Sequence, residues 1–508
     1  MILISILAGL ISLNSSSGKG DAKASTPYKK EYMASVCDYL AHSTWGPWRN
    51  FKPLEKLHEN GMEWCRAWVL TTSLPELNVP YEKWRYLTWK DETWSCREYT
   101  AQILKEAAKN GMRLDLVLFL SDRAAHAGWQ YAPKGWENCS VEETASALET
   151  SCYEIAYYFK SQGLEIEIYE MGNEIESGIC GFFPGLPGGR IPYPSGIDKF
   201  SPEGVLWWKE NIWNIEATLL KSAIKGVKRV NPSAKILLHT DSVNAHPNLG
   251  GSVWSEKNLF PIGFFQSMVE YGVEFDYVGL SYYPSSNFIP TKNFAPIFDE
   301  LQDVIDSIAT ITRKKIFISE FSYSGNRPGV YYERPNYPFT EEGQARCIAD
   351  FLQWITNNIH VQGVAYWYPD RFPGMSQEAP NEDSLGLFAS ETEIRPALLE
   401  FKKTFYPPLY PPSNFKLQRL ENNMIFYKEY INSLSWEANP NNITNIMKYK
   451  LYRKAKASPD KDFQLISELN SSAISYVERG LKKADLYSYW ITAVDEFGRE
   501  SKPALASN

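Results

Sequence analysis

The sequence predicts an α/β architecture: a (β/α)8 TIM barrel followed by a small all-β, immunoglobulin-like sandwich. Three observations carry the prediction. From about Tyr32, short β-type apolar runs alternate with amphipathic helical stretches eight times in succession. Gly repeatedly ends a helical stretch before the next run, in "HENGM", "AKNGM", "SQGLE" and "EYGVE", where a left-handed C-cap residue is wanted. Beyond Tyr406 the helical period gives way to alternation at period two.

The strand candidates are "YMASVCDYL" (32–40), "MEWCRAWVL" (62–70), "RLDLVLFL" (113–120), "EIEIYEM" (165–171), "KILLHT" (235–240), "FDYVGLSYY" (275–283), "KIFISEF" (315–321) and "GVAYWY" (363–368). The clearest helix, "EEGQARCIADFLQWITNNIH", puts Cys347, Ile348, Phe351, Leu352, Ile355 and Ile359 on one face. A doubly wound open sheet is the rival fold. It would carry a Gly-rich phosphate loop after its first strand, and "SVCDYLAHSTW" has none. The barrel is assigned residues 28–405.

Four prolines in "FYPPLYPPSNF" mark a linker at 406–412 that cannot continue a helix. The segment 413–508 then reads as strands separated by turn residues: "NSLSWEA", "MKYKLYRKA", "FQLISEL" and "YSYWITAVD". At the other end, the apolar run Ile2–Leu13 is too short to span a bilayer. Residues 1–27 are read as an export segment, which predicts a secreted or extracellular protein; a membrane anchor is the alternative. The seven Cys leave at least one thiol unpaired, and no CxxC spacing suggests zinc. Cys37 and Cys65 fall within strands and are expected to be buried. An exported chain could form one disulfide among Cys96, Cys139, Cys152 and Cys180, with the pairing open. Asn138, Asn442 and Asn470 head glycosylation sequons.

A net charge of −8 argues against a nucleic-acid partner. The 17 Trp and 31 Tyr suit large cores or surfaces that stack on sugar rings. Active sites of such barrels form at the C-terminal ends of the strands. Strand four closes with Asn173–Glu174 and strand seven with Glu320, in "IFISEFSYSG". Two carboxyls across one barrel mouth meet the needs of glycoside hydrolysis, and a separation of about 5 Å gives double displacement with retention. Arg66, in strand two, can hold one carboxylate ionised, and Asn173 can bind the 2-hydroxyl. His239 closes strand five and is expected to touch substrate. Tyr282 and Tyr283 are adjacent, so only one can face inward, and Tyr282 is taken as the contact to the nucleophile. Trp367, ending strand eight, makes a floor for a sugar ring. Trp129 and Asp122 are further substrate-contact candidates, and Glu176 is read as solvated or ion-paired. No metal cluster or cofactor loop is visible, so no cofactor is expected. The expected partner is a polysaccharide. A non-catalytic carbohydrate-binding or adhesive protein is the reading from another class; it would have lost a carboxylate, and both are present.

"GNE" at strand four and "SEF" at strand seven resemble the clan A glycoside hydrolases. That resemblance implies Glu174 as acid/base and Glu320 as nucleophile. "WCRAWVL", "LSDRAAHAGWQYAPKGW", "YEMGNEIESGI", "KILLHTDSVN", "FDYVGLSYYPSS" and "GVAYWYPD" are similar to family 53, the endo-β-1,4-galactanases, across residues 32–404. The implied activity is internal cleavage of β-1,4-galactan or arabinogalactan. Another clan A activity, on β-1,4-glucan, mannan or xylan, is the alternative. The chain departs from the family pattern in strand three, "LVLFLSD", where a His is usual, and in strand seven, "EFSYSG" in place of "ETGY". The opening "PPSNFKL", Trp436, "YKLYRKA" and "ADLYSYWITAVDEFGRESKP" resemble a fibronectin type III domain, with Tyr487 at its tyrosine corner. Such a module implies a spacer or a surface for cell or carbohydrate docking.

Overall fold

The computed structural model describes residues 30–36, 51–70, 97–121, 130–185, 188–198, 201–241, 259–285, 298–326, 333–334, 336–375, 380–405, 408–423, 425–442, 444–459, 462–483, 486–496 and 498–507. The expected export segment, Cys37, Cys96, Asp122 and Trp129 lie outside them. The chain divides into one compact unit over Tyr28–Pro408 and another containing Leu409–Asn508.

In the first unit eight parallel strands close a barrel: β1 Glu31–Ser35, β2 Trp64–Leu70, β3 Arg113–Phe119, β4 Ile168–Met171, β5 Lys235–Asp241, β6 Tyr277–Tyr282, β7 Lys315–Phe321 and β8 Val361–Trp367. β8 returns to pair with β1. The strands are buried on both faces, which is why they read as continuous apolar runs. Their inward residues stack in layers two positions apart. The lowest layer is apolar: Met33, Trp64, Ile168, Leu237, Phe317 and Ala365. One step up β1, β2, β4 and β5 the layer turns polar, with Ser35, Arg66, Glu170 and His239 all buried. Trp68, one step beyond Arg66 on β2, joins Phe119 of β3 and Trp367 of β8 in an aromatic wall.

Local signals set the outer helices. Ser140 and Glu143 form a reciprocal capping box at the start of helix Val141–Ser161. Thr340 caps Glu341–Asn357, whose buried face carries Cys347, Ile348, Phe351, Leu352 and Ile355. Ile359 does not belong to that face: the helix ends two residues earlier and Ile359 is exposed. Among the described residues no helix is long and apolar enough to cross a membrane. Cys65, Cys139, Cys152, Cys180 and Cys347 are all free thiols, so no disulfide joins Cys139, Cys152 and Cys180. Cys180 instead donates to the Leu120 carbonyl, tying the loop after β4 to the end of β3.

The second unit has two antiparallel sheets. Strands β9 (Ser413–Asn423), β10 (Lys428–Glu437) and β13 (Ser475–Leu481) form one. Strands β11 (Ile446–Ala455), β12 (Gln464–Asn470), β14 (Tyr487–Asp495) and β15 (Ala504–Leu505) form the other. Alternate residues of both sheets, among them Leu417, Leu434, Trp436, Leu451 and Ile491, make a single core. The buried tyrosine of β14 is Tyr489, which donates to Glu478 (2.6 Å) and accepts from Asn432 (2.8 Å). Tyr487 lies half-buried beneath Arg453.

Candidate active site

Glu174 owes its position to the abrupt end of β4. Gly172 has φ +87°, and a Cβ there would lie 2.3 Å from Ile175 Cγ2, so the turn admits only glycine. Glu174 is itself left-handed (φ 49°, ψ 57°) and starts a short 3₁₀ turn, Ile175–Ser177. A non-glycine residue held there stores about 1–3 kcal/mol of strain, a feature that clusters at functional sites. The turn is pinned on both sides. Gln130 donates to the Asn173 carbonyl (2.7 Å), and Arg66 donates to Asn173 Oδ1 (3.2 Å). Ser281, from β6, donates to Glu174 Oε1 (2.7 Å).

Glu320 reaches the same cavity through a bulge in β7. Leu280 pairs with Ile318 but Ser281 with Glu320; on the other edge Ile318 pairs with Val364 but Phe321 with Tyr366. β7 therefore holds one more residue than its neighbours at this level. Ile318 and Phe321, three apart, both pack outward in the main core, and Phe321 stacks on Phe351 at 3.9 Å. Regular alternation would have sent Glu320 outward with Ile318; the bulge aims it inward.

Arg66 organises the polar layer. It donates from Nε and Nη2 to the two oxygens of Glu170 (2.8 and 2.9 Å), and from Nη1 to Ser35 (2.9 Å) and Glu320 (3.3 Å). Burial opposes the charge on Glu170, yet Arg66 and then His239 hold its carboxyl well below the usual range. Burial pushes the Glu320 carboxyl above its ordinary value; Arg66 opposes this, and Glu174 beside it adds to it.

The tyrosine on Glu320 is Tyr283, whose hydroxyl donates to Oε2 at 2.5 Å. Burial, with Glu320 and Glu174 beside it, pushes the Tyr283 phenol far up, so it stays a donor. The expectation for Tyr282 is thereby corrected. Tyr282 points to the helix layer, parallel to Phe321 (6.4 Å) and near Phe351 (5.8 Å). Inward positions on β6 run Tyr277, Gly279, Ser281, and the next is Tyr283. His239 also differs from expectation. It is wholly enclosed, with Nε2 2.9 Å from Ser281 Oγ and Nδ1 3.5 Å from Glu170. It supports Ser281, and through it Glu174, from beneath. Glu176 is buried rather than solvated and accepts from the Asp241 amide (3.1 Å).

This arrangement puts one carboxyl from β4 and one from β7 in a barrel mouth, backed by a guanidinium and a tyrosine. A model of glycosyl hydrolase family 53 matches residues 49–401. The chain belongs to that family. An arabinogalactan endo-β-1,4-galactanase of Humicola insolens is 26% identical over 278 residues, covering 54% of this chain and 72% of the relative. That of Aspergillus niger is 25% identical over 281 residues, with 54% and 69% covered. Among solved structures, a fungal β-1,4-galactanase superposes with a TM-score of 0.54 at 20% identity, covering 74% of this chain and 100% of that one. The family 53 catalytic domain of Ignisphaera aggregans gives 0.53 at 21%, with 75% and 96% covered. At that identity the two structures speak for the barrel fold.

In this family 53 chain the aromatic wall begins with Trp68, one step beyond Arg66 on β2. Trp367 is half-buried and stacks on Trp68 (5.1 Å, 23°), and Tyr368, with φ +58°, leans on Trp367 at 4.7 Å. Sequence reasoning missed Trp68, Glu170, Ser35 and Ser281, and weighed Tyr283 only as the alternative to Tyr282. A usable signal existed for two of them: Arg66, Trp68 and Trp64 share one face of β2 by alternation, and Glu170, in a buried strand, demands a cationic partner.

Proposed function

We propose that the chain is a retaining endo-β-glycosidase that hydrolyses β-1,4-galactan and arabinogalactan, with Glu320 as nucleophile and Glu174 as acid/base. The observation that carries the assignment of roles is the convergence of Arg66 and Tyr283 on Glu320. Two neighbouring carboxyls cannot both ionise cheaply. Donors on Glu320 favour the negative charge there. Glu174 then gives its proton to the glycosidic oxygen while a Glu320 oxygen attacks the anomeric carbon from the opposite face, forming a glycosyl-enzyme. In the second step Glu174 takes a proton from water, which displaces Glu320 and returns the original anomeric configuration. Ser281 can donate to Glu174 whenever it is ionised, and His239 fixes Ser281 in turn.

The galactan reading rests on family membership and on the curated galactanases among the relatives. The stacked Trp68–Trp367 pair offers a hydrophobic platform for a pyranose ring. The second unit is read as a fibronectin type III-like sandwich that spaces the barrel or docks it on carbohydrate, and the chain as an exported protein. The test is a panel of unbranched galactan, arabinogalactan, glucan, mannan and xylan, read by reducing ends and viscosity. Galactan cut internally to short oligomers supports the proposal. Faster release from glucan, mannan or xylan moves the specificity elsewhere in the clan, and no release from any of them favours a binding or adhesive protein.

A further inference from the structure

Asp115 lies in the middle of β3, wholly buried, in register with Arg66 on β2. Neither of its oxygens finds a hydrogen-bond donor at good geometry. What faces it is a second carboxyl, Glu170 on β4, with Arg66 on β2. Arg66 is already engaged: Nε and Nη2 serve Glu170, and Nη1 serves Ser35 and Glu320. Two facing buried carboxyls with no donor left between them have one low-cost arrangement, in which one keeps its proton and gives it to the other. Arg66 and His239 settle which one is ionised, since both sit on the Glu170 side.

We propose that Asp115 is a positioning residue for the hydrolytic site: a neutral carboxylic acid that donates its proton to Glu170, fixes that carboxylate against Arg66, and leaves the guanidinium free to serve Glu320. The proposal rests on the reading of Glu320 as the nucleophile. Its logic is charge balance. Arg66 faces Glu170 and Glu320, one permanent cation against two anions in the reactive state. An ionised Asp115 would add a third anion and raise the proton affinity of Glu320 further. Burial and Glu170 push the Asp115 carboxyl well above its ordinary value, against Arg66 and the Leu116 amide.

Asp115→Asn retains a neutral hydrogen-bond donor of the same shape and is the central variant. Its kcat/KM is expected within about threefold of wild type, with an unchanged acid limb of the pH profile. Asp115→Leu removes the donor, and kcat is expected to fall about tenfold or more with little change in KM, the size of a lost hydrogen bond to a charged group. Stability gives an independent readout. A carboxyl with a folded pKa above its unfolded value of about 3.9 makes the wild type less stable as pH rises. The Tm of Asp115→Asn relative to wild type is therefore expected to climb from about pH 4 to pH 7. An acid limb displaced to lower pH in Asp115→Asn, equal impairment of the Asn and Leu variants, or a Tm difference that stays flat or falls with pH overturns the proposal. A Glu320→Ala enzyme with full turnover would refute the nucleophile assignment instead, and leaves the Tm comparison standing as a separate result.

Discussion

Tyr283→Phe isolates one oxygen of the site. The hydroxyl donates to Glu320 Oε2 at 2.5 Å, and the rest of the ring is kept. A hydrogen bond to a charged group is worth about 1.5–3 kcal/mol, so kcat/KM is expected to fall about 10- to 100-fold. The same bond lowers the proton affinity of Glu320, which burial has already raised. In the proposed mechanism Glu320 must be ionised to attack. Losing the hydroxyl raises its pKa further, so the acid limb of the kcat/KM profile is expected to move to higher pH. The assay is initial rate on soluble galactan across the acid range, with Tyr282→Phe as the control. Tyr282 sits in the aromatic cluster with Phe321 and Phe351, so its variant is expected to keep the wild-type acid limb. A shifted limb in Tyr282→Phe and an unshifted one in Tyr283→Phe would refute the placement of β6.

Gly172→Ala forces a Cβ to within 2.3 Å of Ile175 in a left-handed backbone; a cost of about 1–3 kcal/mol in stability is expected, together with a loss of turnover as the Glu174 turn shifts, both read by thermal melts and rates. Trp367→Ala removes half of the stacked pair with Trp68 and is expected to raise KM for galacto-oligosaccharides about 3- to 10-fold with kcat little changed, the range of an aromatic stacking contribution. A chain ending at Pro408 retains the whole barrel unit and is expected to keep its activity on soluble galactan; loss of most turnover would make the second unit part of the catalytic machinery.

The barrel was legible because its signals are local and repeated. Helix-ending glycines and eight apolar runs needed no long-range information, and all eight runs contain strands. The ends of β4 and β7 also stood out, since Asn173, Glu174 and Glu320 are polar residues where buried strands stop. The facing of side chains was harder to read. In strands buried on both sides, hydrophobicity does not tell inside from outside, so the choice between Tyr282 and Tyr283 had no compositional support. The β7 bulge that turns Glu320 inward leaves no mark in "KIFISEF". His239 illustrates the limit for roles: its strand-end position suggested a ligand contact, whereas its burial under Ser281 depends on register between β5 and β6. Glu170 and Asp115 passed as ordinary strand residues because their partners come from other strands.

The central claim is that Glu320 attacks and Glu174 shuttles the proton. The stereochemistry of azide rescue tests it most directly, read by proton NMR on an aryl β-galactoside or galacto-oligoside with an acidic leaving group. In Glu320→Ala, azide can occupy the vacated space and attack the anomeric carbon directly, so the account predicts the α-glycosyl azide. In Glu174→Ala the first step survives with such a leaving group, azide attacks the glycosyl-enzyme from the other face, and the β-glycosyl azide is predicted, while cleavage of natural galactan falls by about 10²–10⁴-fold. The β azide from Glu320→Ala and the α azide from Glu174→Ala would exchange the two roles, and undiminished hydrolysis in both variants would contradict the site altogether.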